Sequence, residues 1–204
     1  MEDLLPAIQI TLPTKGALDP YGLFSPQPRA IWLEIGFGGG EHLAAQALRH
    51  PDVGFLGAEA FVNGIASLLD HIERENLSNI RVFPEDARLL LDVLPVASIN
   101  RCFVLFPDPW PTARHAARRF IGPENIPQLA RVMRADAELH LATDDAKLAD
   151  WMVEYMNAST EFAPRLKPSA QPPADWVPTR YEQKALKAGR KPVYFSYQRK
   201  GESL

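Results

Sequence analysis

Short apolar runs alternate with helix-forming segments along most of this chain, and that alternation restricts its fold more than any other feature. The runs have the length and composition of strands, and the segments between them repeat apolar residues at helical spacing. The runs cover residues 30–35, 53–60, 80–86, 99–106 and 137–143. Strands that alternate with helices pair in parallel, because each helix carries the chain back across one face of the sheet. The pattern therefore predicts an α/β fold with a doubly wound, mostly parallel sheet.

The helices and the remaining segments complete this outline. Helices are predicted over residues 41–50, 63–76, 87–94, 124–134 and 145–157. Residues 192–200 alternate apolar and polar side chains, which predicts a C-terminal antiparallel strand. Residues 1–29 and the proline-rich residues 164–180 are predicted to be irregular. Residues 1–204 are expected to form a single domain, since a chain of this length can bury one substantial core.

The composition excludes several classes of protein. No apolar run approaches the roughly 20 residues that cross a bilayer, and the first ten residues carry two acids and no base, unlike a secretory signal. The single cysteine, Cys102, cannot form a disulfide within the chain. His42, His50, His71 and His140 lack the spacing of metal ligands, so no metal is expected. We expect a cytoplasmic protein without a membrane segment.

The basic residues are clustered, although the net charge is −3. Residues 112–134 contain five arginines and one acid, and residues 176–200 contain seven lysines and arginines and one acid. Clusters of this kind bind phosphate groups even on an acidic protein. For the second cluster, a solvated charged face is the alternative interpretation.

Four successive predicted strands end in an acidic residue. These residues are Glu34, Glu59, Asp86 and Asp108. Parallel sheets bind ligands beyond the carboxyl ends of their strands, so the four side chains are expected at one site. A single acid at a strand end is more often a solvated turn residue, but four in succession favour a cationic ligand rich in hydroxyl groups.

Glycines follow the first strand at positions 36, 38 and 40, which allows a tight turn and a close approach of the backbone to a ligand. The dinucleotide fingerprint would require a third glycine at position 41, where this chain has Glu41. Glu59 lies at the spacing expected of an acid that accepts hydrogen bonds from ribose hydroxyls.

The fourth strand ends in the sequence FPDPWP, residues 106–111. Its three prolines restrict the backbone around one carboxylate, Asp108, and one large aromatic, Trp110. An ordinary strand end explains one proline of this kind, but not three around an acid. Trp110 is either a surface on which a splayed base stacks or a cap on the core.

These motifs together resemble the bacterial tRNA (guanine-N7-)-methyltransferase family. The similar segments are WLEIGFGGGEH, FLGAEAFVNGI, FPDPWPTARHAARR, ATDDAKLADWM and TRYEQKALKAG, which occur in order between residues 32 and 195. The proline-rich block is the most specific of them. The resemblance implies a Rossmann-like class I methyltransferase fold, S-adenosylmethionine as cofactor, tRNA as partner, and 7-methylguanosine at position 46 of the variable loop as product.

The resemblance also implies roles for individual residues, with Asp108 as the catalytic residue. The cofactor pocket would be formed by Glu34, Gly36, Gly38, Gly40, Glu59, Asp86 and Asp108. The tRNA and its target guanosine would be contacted by Thr112, Arg114, His115, Arg118, Arg119, Asp144, Thr179, Arg180, Tyr181 and Glu182.

Two other functions are weighed against this one. A nicotinamide-dependent oxidoreductase uses the same sheet, but the missing glycine at position 41 and the absence of a Tyr/Lys catalytic pair speak against it. A non-catalytic RNA-binding subunit is the other alternative, and the presence of Asp108 speaks against it. The sequence is compatible with a monomer and with a homodimer.

Overall fold

Seven strands form a single mixed sheet in the computed structural model, which describes residues 4–173 and 176–201. The strands are β1 (Ala30–Ile35), β2 (Val53–Ala58), β3 (Ile80–Phe83), β4 (Ile99–Leu105), β5 (Met133–Thr143), β6 (Phe162–Ser169) and β7 (Val193–Arg199). Their spatial order is β3-β2-β1-β4-β5-β7-β6. Strands β1 to β5 pair in parallel, and β7 is antiparallel to both β5 and β6. The predicted doubly wound α/β fold with an antiparallel C-terminal strand is confirmed.

Helices connect successive strands and cover both faces of the sheet. They are α1 (Leu4–Ile8), α2 (Glu41–Arg49), α3 (Val62–Glu75), α4 (Ala87–Val93), α5 (Asn125–Val132), α6 (Ala146–Ala158) and α7 (Arg180–Lys187), with a 3₁₀ helix at Ala113–Arg118. The five predicted helices correspond to α2 to α6, with ends that differ by a few residues. No helix in the described ranges has the length and hydropathy of a membrane span.

The central strands are apolar because the sheet is covered on both sides. All six residues of β1 and all six of β2 are buried. Ile31, Leu33 and Leu56 face one layer of the core, and Trp32 and Phe55 face the other. This two-sided burial is typical of parallel sheets, whose crossover helices cover both faces.

Two segments predicted to be irregular contain regular structure. The predicted loop at 164–180 is wrong for its first part, since β6 extends to Ser169. Pro164 and Pro168 argue against a strand in the sequence, but β6 is an edge strand, where a missing N–H donor is tolerated. Its register shifts on either side of Leu166 accommodate them. In the predicted irregular lead-in, α1 packs near β3 and Gln9 bridges to Val82.

The chain order creates a crevice at the carboxyl edge of the sheet. The chain moves outward from β1 to β2 and β3 on one side, and then to β4 and β5 on the other. The connections after β1 and β4 therefore leave in opposite directions, which opens the sheet edge between them. The fold thus predicts a ligand site where Ile35 and Leu105 end their strands.

Candidate active site

A cavity of about 860 Å³ lies at this carboxyl edge of the sheet. Its wall includes Gly36 after β1, Glu59 after β2, Asp86 after β3 and Asp108 after β4. Tyr181, in the first turn of α7, closes part of the wall. Arg118 also lines the wall, so six residues that the sequence assigned to a site come together from distant parts of the chain.

The turn between β1 and α2 depends on glycine at three positions. Gly36, Gly38 and Gly40 all have positive φ, at 69°, 57° and 79°, a conformation that strains other residues. A Cβ on Gly38 would lie 2.4 Å from a ring carbon of Tyr181, and one on Gly40 would lie 2.7 Å from Leu68. The glycines therefore allow both the turn and its close packing.

Glu59 connects this turn to the start of α3. One carboxylate oxygen accepts a hydrogen bond from the Gly38 amide and the other accepts one from the Phe61 amide, each at 2.9 Å. An ionised carboxylate has about four acceptor positions. Glu59 can therefore hold the turn and still accept hydrogen bonds from a ligand in the cavity.

Glu34 does not line the cavity. Its side chain is 3% exposed, and a carboxylate oxygen lies 2.7 Å from Nδ1 of His42, which is itself 1% exposed. Gln46 contacts the other ring nitrogen of His42. The side chain of Glu34 therefore lies beneath the turn and points toward α2, and its contact with a cofactor stays a prediction. Burial and the nearby Glu34 carboxylate raise the pKa of Cys102.

Asp86 lines the cavity, but its charge already has a partner. It accepts a hydrogen bond from the Arg88 amide at the start of α4, and the Arg88 guanidinium contacts both carboxylate oxygens, at 3.0 and 3.2 Å. Arg88 also lies 5.5 Å from the centre of the Phe120 ring. Sequence reasoning missed Arg88 as a cavity residue, although its position two residues after Asp86 was the available signal.

Asp108 lies on an exposed, restrained turn. Phe106 and Trp110 on either side of it have positive φ, at 51° and 41°, which is unusual for bulky residues. The amide of Phe106 donates to the carbonyl of Ala142 at 2.7 Å. Within the described ranges the Asp108 carboxylate makes no hydrogen bond or ion pair. This acid is therefore held by its backbone and available to a ligand.

Trp110 is in contact with two basic side chains that follow it. The Arg118 guanidinium lies 4.8 Å from the centre of one ring of Trp110, and His115 approaches edge-on at 5.8 Å between ring centres. His115 Nδ1 lies 3.0 Å from Oγ1 of Thr112. A base that stacks on the face covered by Arg118 must first displace it. Arg114 is exposed on the same 3₁₀ helix.

The α7 region contributes one side chain to the cavity and buries two others. Thr179 and Glu182 form a reciprocal capping box at the start of the helix. The Glu182 carboxylate also accepts hydrogen bonds from Trp176 Nε1 and the Tyr194 hydroxyl. Burial, followed by the hydrogen bond to Glu182, raises the pKa of Tyr194. Both side chains are buried and bonded within the protein, and the contact of Thr179 and Glu182 with guanosine stays a prediction.

Arg180, Asp144 and Tyr181 differ in how far their side chains are free to contact a ligand. Arg180 is exposed at the start of α7. Asp144, which follows β5, forms an ion pair with Arg190 at 2.6 Å and is not part of the cavity wall. Burial, followed by the carboxylates of Glu59 and Asp108, raises the pKa of Tyr181.

The described residues contain no group of three or more His, Cys, Asp or Glu side chains that could hold a metal ion.

The fold and the position of the site define a class I methyltransferase. A family model described as "Putative methyltransferase" matches residues 28–195. Solved structures with this fold include a 16S rRNA (adenine(1408)-N(1))-methyltransferase from Catenulisporales acidiphilia with its cosubstrate SAM. It has a TM-score of 0.65 and 11% identity, covering 92% of this chain and 94% of that chain. The 16S rRNA methyltransferase KamB has a TM-score of 0.62 and 14% identity, covering 85% of this chain and 89% of that chain.

Sequence relatives define the family more narrowly. A tRNA (guanine-N(7)-)-methyltransferase of Paramagnetospirillum magneticum is 50% identical, covering 98% of this chain and 85% of the relative. The proteins of the same name from Rhodospirillum rubrum and Caulobacter vibrioides are 45% and 47% identical, each over 98% of this chain and over 81% and 87% of their own lengths. The chain belongs to the bacterial tRNA (guanine-N7-)-methyltransferase family.

Proposed function

We propose that this chain transfers a methyl group from S-adenosylmethionine to N7 of guanosine in tRNA, with guanosine 46 of the variable loop as the target. The observation that carries the proposal is the Asp108 carboxylate, which lines the cavity on a turn of three prolines and has no partner within the described ranges. Membership of the family supports the substrate class. The reaction is assigned to residues 1–204 as one domain, acting in the cytoplasm.

The cavity suits a nucleoside cofactor with a cationic centre. Its volume lies within the usual range for small-molecule sites. Glu59 retains acceptor positions for ribose hydroxyls, Asp86 lies where an adenine amino group could donate, and the exposed backbone of Gly36 permits close approach. S-adenosylmethionine, when bound, supplies its methyl group from a sulfonium cation. Four carboxylates on the wall, those of Glu59, Glu85, Asp86 and Asp108, favour that cation and oppose the pyrophosphate of a nicotinamide dinucleotide.

The proposed chemistry makes only limited demands on the protein. Guanine N7 carries an in-plane lone pair, so no general base is needed to make it nucleophilic. Its methylation places positive charge on the five-membered ring. A fixed carboxylate at Asp108 stabilises that charge, and the restrained turn keeps it in place before the reaction. His115 is assigned to tRNA contact rather than to proton transfer.

Two exposed basic surfaces beside the cavity are assigned to tRNA phosphates. The first consists of Arg114 and Arg118 on the 3₁₀ helix. The second, which we call the α7 stripe, consists of Arg180, Lys184 and Lys187, spaced i, i+4 and i+7 along α7.

The α7 stripe points directly away from the protein. At 100° per residue its three side chains lie opposite the two buried residues of α7, Glu182 and Ala185. Within the described ranges none of the three forms an ion pair. Because Tyr181 in the same helix lines the cavity, the stripe begins at the cavity mouth and continues along the surface, as a phosphate backbone would.

The direct test uses unmodified tRNA transcripts and S-adenosylmethionine with a labelled methyl group. The proposal predicts label in tRNA that digestion recovers as 7-methylguanosine. A transcript in which guanosine 46 is replaced by adenosine should remain unlabelled. Label in another nucleoside would contradict the assignment to N7. Binding of tRNA without incorporation would favour the non-catalytic alternative.

A further inference from the structure

The turn that carries Asp108 adopts a conformation that its own residues do not favour. Phe106 and Trp110 both have φ in the left-handed region, although neither is a glycine or an asparagine. Such conformations persist where the surrounding structure imposes them, and they are concentrated at functional sites. Contacts from outside the turn must therefore hold it.

Arg119 provides these contacts. Its Nε donates to the carbonyl of Pro109 at 3.0 Å, and its Nη2 donates to the carbonyl of Trp110 at 3.2 Å. The two carbonyls are consecutive and directly follow Asp108. A planar guanidinium that bonds two neighbouring acceptors fixes their relative orientation, which a single bond cannot do.

The position of Arg119 is itself fixed from the other side. Its guanidinium carbon lies 4.6 Å from the centre of one ring of Trp151 in α6. The indole N–H of Trp151 donates to the carbonyl of Ile121 at 2.7 Å, and Tyr155 packs against its ring at 4.3 Å between ring centres. Helix α6 thus supports Arg119, and Arg119 supports the turn.

Arg119 differs in this respect from the two arginines before it. Arg114 and Arg118 are exposed, and Arg119 is partly buried, with two of its five N–H donors directed into the turn. The family resemblance assigns the whole segment 114–119 to tRNA. The geometry separates Arg119 from the rest of that segment.

We propose that Arg119 is a positioning residue, which orients Asp108 through the carbonyls of Pro109 and Trp110 and does not bind tRNA. The inference rests on the proposed function, because it takes Asp108 to be the catalytic residue. Loss of the two bonds should let the carboxylate move away from the developing charge. Misplacement of a catalytic group by about 1 Å costs on the order of a hundredfold in rate.

The decisive variant is Arg119→Lys, because it keeps the charge and removes the bidentate geometry. A phosphate contact tolerates lysine as a point charge, whereas a clamp on two carbonyls does not. We expect kcat to fall about tenfold to a hundredfold, while the KM for tRNA and its salt dependence stay as in the wild type. The matched control is Arg74→Lys, at an exposed position in the last turn of α3, which should retain kcat, the KM for tRNA and its salt dependence.

A second measurement does not depend on activity. Amide hydrogen exchange of the segment 106–112 reports on the turn through the amides of Phe106, Asp108, Trp110 and Thr112, since the prolines between them have none. Exchange should accelerate in Arg119→Lys and, to a smaller degree, in Trp151→Phe, with thermal unfolding as the check on the overall fold. If the wild type made no 7-methylguanosine, the proposed function would fail, and exchange would still decide whether Arg119 holds the turn.

Two results would overturn the inference. One is full kcat in Arg119→Lys with unchanged exchange in the segment 106–112. The other is an increased KM for tRNA with a reduced salt dependence at normal kcat, which would assign Arg119 to the phosphate backbone.

Discussion

Nδ1 of His42 lies 2.7 Å from a carboxylate oxygen of Glu34, and both side chains are nearly inaccessible to solvent. This pair joins the end of β1 to α2 beneath the glycine turn, while Glu59 holds the amide of Gly38 from the side. The four acids at the strand ends therefore divide into two groups. Glu34 is part of the structure under the site, and the other three face the cavity.

Asp108→Asn should reduce kcat about 10²- to 10³-fold, because it removes the charge opposite the developing ring cation and retains the size of the side chain. Affinity for S-adenosylmethionine should change far less. Single-turnover methyl transfer measures the first effect, and calorimetry measures the second. Turnover near the wild-type rate would show that Asp108 serves only to shape the turn.

Glu59→Gln should weaken binding of S-adenosylmethionine roughly tenfold or more, because a charged acceptor is worth about 1.5–3 kcal/mol. The amide oxygen of glutamine can still accept one of the two backbone bonds at Gly38 and Phe61, so the fold should persist. Glu154→Gln, at an exposed position on α6, is the matched control. Equal affinities in calorimetry would place the ribose elsewhere.

Lys184→Gln combined with Lys187→Gln should raise the KM for tRNA and leave kcat at saturating tRNA unchanged. Each lost phosphate contact should reduce the log–log salt slope of binding by up to about one unit. Lys15→Gln is the control, since Leu18 nearby bonds to Val93 before β4, at the opposite end of the sheet from the cavity. A salt slope that matches the control would leave the α7 stripe as a solvated face.

Glu138→Gln should change how stability depends on pH. A hydrogen bond from His140, with the positive charges of Arg101 and Arg165, lowers the pKa of Glu138 from 4.5 to about 2. The pKa of Glu138 is lower in the folded protein than in the unfolded one. The stabilisation is therefore fully present above the pKa of the unfolded state and is lost as the pH falls toward the pKa of the folded state.

The free energy of unfolding of the wild type should therefore decline between about pH 4.5 and 2 more steeply than that of the Glu138→Gln variant. At neutral pH the variant should be the less stable of the two. Denaturant unfolding across this range measures both effects. Parallel pH profiles would show that Glu138 is not held in its charged form by these neighbours.

Sequence reasoning predicted the elements whose own residues show a clear pattern of apolar side chains. The buried runs at 30–35 and 99–106 correspond to β1 and β4, because residues covered on both faces must be apolar whatever their partners are. Strand β6 was missed because its prolines and exposed basic residues give no such signal. It exists through pairing with β7, a contact between distant segments.

The site was also predictable only in part. The motifs predicted that Gly36, Glu59, Asp86 and Asp108 lie together, because parallel strands end at one edge of the sheet, and all four line the cavity. Which side chains are free was not predictable, because that depends on neighbours such as Arg88 for Asp86 and His42 for Glu34. Arg119 is the clearest case, since three arginines within six residues look alike until their directions are known.

The two edges of the sheet are unsuited to the addition of further strands. At β3, the edge is occupied by the lead-in, where Gln9 bridges to Val82 and the amide of Ile10 donates to the Val82 carbonyl at 2.7 Å. At β6, Pro164 and Pro168 remove two backbone donors, and the side chains of Arg165 and Lys167 are charged and exposed. Prolines and charges of this kind prevent edge-to-edge aggregation. The features that disguise β6 in the sequence thus protect the folded protein against polymerising through its sheet.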